Sequence, residues 1–144
     1  MKPPRIVVED RPSPADVAFV EERINEFNFA TTGYRDGREL ACFVRDDQGA
    51  IVAGLTGFTW GGYCRVSFLW VAESRRRSGL GRALLATAED EARRRGCGLV
   101  QLDTHDFQAP GFYARLGYEK LAHLADIPRG HGQTWFVKRL DGQR

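Results

Sequence analysis

The sequence predicts an α/β domain on a mixed sheet, antiparallel in its N-terminal half and parallel around the second long helix, with helices on its flanks. Three observations predict it. Three strand-like runs follow one another between residues 39 and 72, separated by turn signals. An amphipathic helix comes directly after them, and GLVQLDTH (98–105) then reads as another buried strand. The length of 144 residues suits a single domain with its own core, so residues 1–144 are taken together.

Each element can be justified in order. RIVVED (5–10) has the β-branched density of a short strand and is stopped by RPSP. Ser13 then Pro14 reads as an N-cap followed by the first helical position, with Asp16 in the first turn. Val17, Val20, Ile24 and Phe27 recur at steps of three and four, giving that helix an apolar face. It should end before TTGYRDG (31–37). ELACFVRD (39–46) is strand-like and runs into DDQG, a hairpin signal. AIVAGLTGFTW and GGYCRVSFLWVA supply two more strands around Gly61–Gly62. In the last of these FLWV (68–71) is apolar at every position, which predicts burial on both faces, as in a central strand.

The helix after Gly81 should carry Leu80, Ala83, Leu84, Ala88 and Ala92 as its inner stripe. Glu89–Arg93, Asp90–Arg94 and Glu91–Arg95 stand at the (i, i+4) spacing in the favourable acid-first order. Arg93–Arg95 suit the carboxyl end of the macrodipole, and Gly96 suits the turn that follows. A short helix is expected from Pro110 to Leu116, ended by Gly117. YEKLAHLAD and TWFVKRL read as final strands separated by IPRGHGQ.

Composition narrows the functional classes. The chain is 42% hydrophobic and 11% aromatic, as a globular domain should be, and its formal charge is only +2. A whole-surface attraction to nucleic acid is therefore not expected. Cys42, Cys64 and Cys97 are widely spaced, odd in number and without a C-x-x-C. They read as buried thiols of a reducing compartment, not as a disulfide framework or a zinc site. No apolar run approaches a membrane span, and MKPPRIVVED lacks the apolar stretch of a secretory signal. A soluble, cytoplasmic protein with no membrane partner is the expectation.

The chemistry is concentrated in RRRSGLGRALL (75–85). A helix begun by Gly-Leu-Gly exposes N–H groups that have no intrahelical acceptor, and the macrodipole adds about half a positive charge there. Gly79 and Gly81 allow close approach to the backbone, and Arg75, Arg76, Arg77 and Arg82 surround the turn with cations. Phosphate or pyrophosphate is the natural guest. No Walker string is present, and a dinucleotide fingerprint would need a third glycine where Leu84 stands. What remains is R-x-x-G-x-G over Arg76-Arg77-Ser78-Gly79-Leu80-Gly81, or else a basic loop that merely caps a helix.

FLWVAE, then R-x-x-G-x-G, then an amphipathic helix resembles the acyl-CoA signature of the GNAT acyltransferase superfamily. DFQAPGFYARLGYEK (106–120) resembles the second signature of that family, and the order of elements agrees along essentially the whole chain. The resemblance implies a GNAT-like domain whose strand before the loop splays from its neighbour to admit the pantetheine arm of acetyl-CoA. It places the backbone of Leu69, Trp70 and Val71 along pantetheine and acetyl, in the manner of strand addition. The diphosphate falls to the turn of Arg77, Ser78, Gly79, Leu80, Gly81 and Arg82, with Arg76 at the position usually held by Gln or Arg. Asp106 stands where many relatives carry a cofactor-contacting Asn.

Tyr113, the tyrosine of the aromatic–Tyr pair, is implied as the general acid for the departing thiolate; a purely structural buried tyrosine is the alternative. An ammonium acceptor must lose a proton before it attacks. Relatives that use a strand glutamate as base have Arg65 at the nearest equivalent here, so His105, at a strand end beside the cleft, is the candidate base. Glu73, Asp103 or a chain of waters are other options. The acceptor, a small-molecule amine, would be held by residues of 25–40 and 126–135, chiefly Phe29, Tyr34 and His131, with Asn25, Asp36, Glu39, Asp126 and Trp135 nearby. No metal is needed, and the resemblance is compatible with a homodimer. The competing readings are a degenerate CoA-binding sensor, acetylation of a peptide amine, and a nucleic-acid-binding domain using the two arginine triplets.

Overall fold

The structure, a computed structural model, describes residues 1–140. The chain divides into two compact units, Met1–Arg35 and Asp36–Arg144.

The first unit is one helix with an irregular lead-in. α1 (Pro14–Thr32) starts as expected: the Ser13 side chain accepts from the Ala15 N–H, Pro14 opens the helix, and Asp16 lies in its first turn. It ends at Gly33, whose left-handed φ of 77° lets its N–H donate to the Phe29 carbonyl. Residues 5–10, expected as a strand, are not one: no ladder includes them, and Ile6, Val7 and Val8 are exposed. β-branched density favours a pleated, half-buried surface and does not by itself create a pairing edge. Likewise α1 buries no residue, and Val17, Val20, Ile24 and Phe27 are all exposed. A single helix has no second layer of its own unit against which to bury its stripe.

The second unit holds a six-stranded sheet in the order β1-β2-β3-β4-β6-β5. β1 (Arg38–Arg45), β2 (Ile51–Trp60) and β3 (Tyr63–Val71) form an antiparallel meander. α2 (Leu80–Arg94) carries the chain to β4 (Leu99–His105), which lies parallel to β3. α3 (Pro110–Arg115) leads to β5 (Glu119–Ala125) and β6 (Gly132–Arg139), and β6 inserts antiparallel between β4 and β5. The mixed α/β fold is the one the sequence predicts.

The core lies between α2, α3 and one face of the sheet. Leu55, Leu85, Leu102, Val100 and Cys64 are its largest fully buried side chains. Alternation, not two-sided burial, governs the end of β3: Leu69 and Val71 pack against the core, whereas Phe68 and Trp70 are exposed. Both helices of this unit cover the same face, so the expected second cover over FLWV is absent among its described residues. The stripe of α2 is also rotated from expectation. Leu84, Leu85, Ala88, Glu89 and Ala92 are buried, while Ala83 is exposed.

Glu89 explains the rotation. Its two carboxylate oxygens accept from the Tyr118 hydroxyl (2.8 Å) and from Lys138 Nζ (2.9 Å), tying α2 to the start of β5 and to β6. It is therefore not paired with Arg93. Of the three expected (i, i+4) pairs only Glu91–Arg95 forms; Asp90 and Glu91 take Arg93 and Arg94 at (i, i+3), an equally near spacing on a helix. Arg95 also donates to the Glu39 carbonyl (3.0 Å) and Thr59 Oγ1 (3.1 Å), pinning the end of α2 to β1 and β2. Cys42, Cys64 and Cys97 are free thiols, the last two buried.

Candidate functional site

The site begins with a break in the sheet. β3 and β4 pair only at Tyr63–Leu99, Cys64–Val100 and Arg65–Gln101, and beyond these rungs both strands continue apart. The cause is local. Thr56 pairs with Phe68 and Gly57 with Val66, so Ser67 is an extra residue, a β-bulge that bends β3 just past its last rung with β4. Gly57 makes the bend possible, because a Cβ there would fall 2.0 Å from the Arg65 carbonyl oxygen. The outcome is a wedge-shaped opening whose β3 wall runs from Val66 to Val71.

At the wide end of the wedge stands the start of α2. Past Val71 the chain makes one 3-10 turn (Glu73–Arg75), after which Arg77 takes a left-handed φ of 62°. Arg76 Nε donates back to the Val71 carbonyl (3.2 Å), and the Ser78 hydroxyl donates to the Arg75 carbonyl. Both bonds shape the loop from within. Gly79 is the N-cap at φ 85°, a conformation that suits glycine, and α2 receives no side-chain cap. The first-turn N–H groups are thus available to a guest, beside the exposed Arg75, Arg77 and Arg82. Gly81 is close-packed: a Cβ there would come within 3.4 Å of the Phe112 ring.

Tyr113 is brought to the same region by α3. It is 9% exposed and ringed by Phe112, Tyr118 and Phe136 at centroid distances of 5.1, 5.9 and 5.8 Å. Burial, and after it the Asp103 charge, raises its phenol above the ordinary tyrosine value. The hydroxyl bonds to no other described residue, yet no buried side-chain polar atom among them lacks a partner. Its oxygen therefore opens onto accessible space. A protonated phenol with a free donor is what a general acid requires.

The end of β4 and the β5–β6 connection gather the other candidates. His105 is half-buried, with its ring 5.2 Å from that of Phe107, which in turn lies 5.0 Å from His131. Asp106, which the resemblance puts beside the cofactor, donates its N–H to the Gly132 carbonyl, and its carboxylate lies 3.5 Å from His123 Nε2. Asp103 has Arg65 on one oxygen and Gln133 Nε2 on the other (2.5 Å), so its carboxylate is held from both sides. Glu73 is exposed in the 3-10 turn. Phe29 and Tyr34 belong to the first unit, where the Arg35 guanidinium lies over the Phe29 ring and the Tyr34 N–H donates to Thr32 Oγ1. Sequence reasoning missed Gly57, Gln133 and Phe107, because nothing local marks residues whose partners lie on other strands. Among the described residues no cluster of His, Cys, Asp or Glu could hold a metal ion, and no helix is long and apolar enough to cross a membrane.

Residues 6–118 match the model of the Acetyltransferase (GNAT) family. The chain belongs to the GNAT family. Its relatives within it include an acetyltransferase of Agrobacterium fabrum, Atu2258, 36% identical over 121 residues that make up 84% of this chain and 88% of the relative. The blasticidin-S acetyltransferase of Streptomyces morookaense is 41% identical over 101 residues, 69% of this chain and 74% of the relative. Among solved structures, that of a putative acetyltransferase from Agrobacterium tumefaciens superposes with a TM-score of 0.88 at 33% identity, over 94% of this chain and 98% of the other. This GNAT chain is accordingly an acetyltransferase with the mixed six-stranded sheet of its relatives.

Proposed function

We propose that this GNAT protein transfers an acetyl group from acetyl-CoA to a primary amine of a small molecule, with Tyr113 as general acid. One observation carries the reading: the opening between β3 and β4 leads straight to an uncapped, glycine-led helix start. The residues present fit the donor. First-turn amides from Arg77 to Arg82 suit the diphosphate, and Gly79 leaves open space above them, since a Cβ there would meet nothing within 4 Å. The backbone of Leu69, Trp70 and Val71 suits the amides of the pantetheine arm. Arg76 serves through its bond to Val71, which holds the loop closed upon itself.

Acetyl-CoA supplies an acyl group activated as a thioester. The acceptor must arrive as a free amine, and His105 is the residue we assign to take its proton. Attack forms the C–N bond, the C–S bond breaks, and the Tyr113 hydroxyl gives its proton to the leaving sulfur. Solvent then restores the phenol. The relative that acts on blasticidin S favours a small-molecule acceptor, and makes that antibiotic the first amine to try.

The test is release of free thiol from acetyl-CoA against a panel of amines that includes blasticidin S, for wild type and Tyr113→Phe. Loss of a general acid should lower kcat by about 100-fold with little change in CoA affinity. An unchanged rate removes the tyrosine from the mechanism. Tight CoA binding with no turnover on any amine would favour a sensor.

A further inference from the structure

We propose that Arg65, Asp103 and Gln133 form a stop at the blind end of the β3–β4 opening, limiting the acyl group delivered there to one of acetyl size. The inference rests on the donor reading above and names a specificity that reading leaves open.

The stop lies where the strands begin to part. Arg65 is the last β3 residue paired with β4, opposite Gln101. Its guanidinium does not follow that rung; it reaches two residues further along β4 to the Asp103 carboxylate. The second oxygen of Asp103 accepts from Gln133 on β6 (2.5 Å). Three strands are thus joined by side chains just beyond the point where the main-chain ladder stops. The side chains of Arg65 and Asp103 are 26% and 18% exposed, so this is no solvated surface pair free to swing aside. With one partner on each oxygen, Asp103 is held from both flanks.

Direction decides what meets the stop. β3 runs from Arg65 through Val71 toward the loop and the start of α2. A donor with its diphosphate on that helix turn and its arm beside Leu69–Val71 must point its acyl end back toward Arg65. At a rise of about 3.3 Å per residue, the six steps from Val71 to Arg65, shortened by the bulge at Ser67, allow a run of under about 20 Å. Each added methylene pushes the chain toward a half-buried ion pair that offers it no apolar wall. Longer acyl groups must break the bridge and strand a charge.

The experiment is calorimetric titration of the intact protein with acetyl-CoA and butyryl-CoA, which needs no acceptor. Wild type should bind acetyl-CoA about tenfold or more tightly over butyryl-CoA, the range one pocket achieves against extra methylenes. Asp103→Ala should bring the two affinities within about threefold, chiefly by gain for butyryl-CoA. Asp103→Asn keeps the volume but turns one accepting oxygen into a donor and removes the ion pair, so its ratio should fall between those of wild type and Asp103→Ala. Arg65→Ala opens the same end from β3 and stands in if Asp103→Ala does not fold. Equal affinities in wild type, or an unaltered ratio in the folded alanine variant, overturn the proposal. If neither thioester binds wild type while the protein is folded, the donor reading itself fails and takes this inference with it.

Discussion

The carbonyl oxygen of Arg65 occupies the space that a side chain on Gly57 would need, 2.0 Å from the position of its Cβ. Both partners are backbone, on strands locked by a bulge, so neither can turn away. Gly57→Ala should therefore destabilise the protein by about 3 kcal/mol, as overpacking does, and reduce donor affinity by moving β3. Gly132→Ala is the contrast. There a Cβ meets Asp106 Oδ2 and His123 Nε2 at 2.5 Å, the ends of side chains 48% and 38% exposed. Those ends can swing, and the cost should stay below about 1 kcal/mol. Urea denaturation of the two variants side by side checks both values.

Lys138→Met tests the buried carboxylate of α2. Glu89 would keep its hydrogen bond from Tyr118 but lose its one ion-pair partner among the described residues while 6% exposed. Breaking a buried pair from one side costs about 3 kcal/mol. Adding Glu89→Gln should return a good part of that loss, because the stranded charge is then gone. A double-mutant cycle by denaturation reads the coupling.

Alkaline pH should weaken the fold through Cys64. Burial pushes its thiol up from 9.0 to about 11. Between those values the unfolded chain has released the proton and the folded chain retains it, so stability is intact below pH 9 and falls as pH rises toward 11. Two units correspond to about 3 kcal/mol. Melting curves of wild type and Cys64→Ala from pH 7 to 11 should converge as pH rises, the variant starting lower for its lost packing. Parallel curves would contradict the assignment.

Gly79→Ala and Gly79→Glu separate conformation from charge at the start of α2. The left-handed φ of 85° charges either residue about 1 kcal/mol in strain. Only glutamate adds a carboxylate beside the exposed first-turn amides. Titration with CoA should show a loss of about tenfold or less for alanine, and of more than about 100-fold for glutamate.

The turn that begins α2 was legible in the sequence because its glycines, its arginines and its helix are contiguous. The strand and helix order of residues 38–140 was legible for the same reason, since periodicity is a local property. Failures arose where a segment depends on a distant partner. RIVVED has the composition of a strand but no described pairing edge, and FLWV has the composition of a doubly covered strand but alternates. Glu89 has an arginine four residues on and prefers a lysine 49 residues away. Arg65, Asp103 and Gln133 lie on three strands, and their meeting follows from sheet order alone.

The sheet consists of two antiparallel leaves, β1-β2-β3 and β4-β6-β5, stitched by a seam of three rungs. An entrance made by diverging main chain keeps its shape when the side chains around it are exchanged. If the donor binds there as proposed, residues around the rim can change without altering the main-chain wall that would hold it.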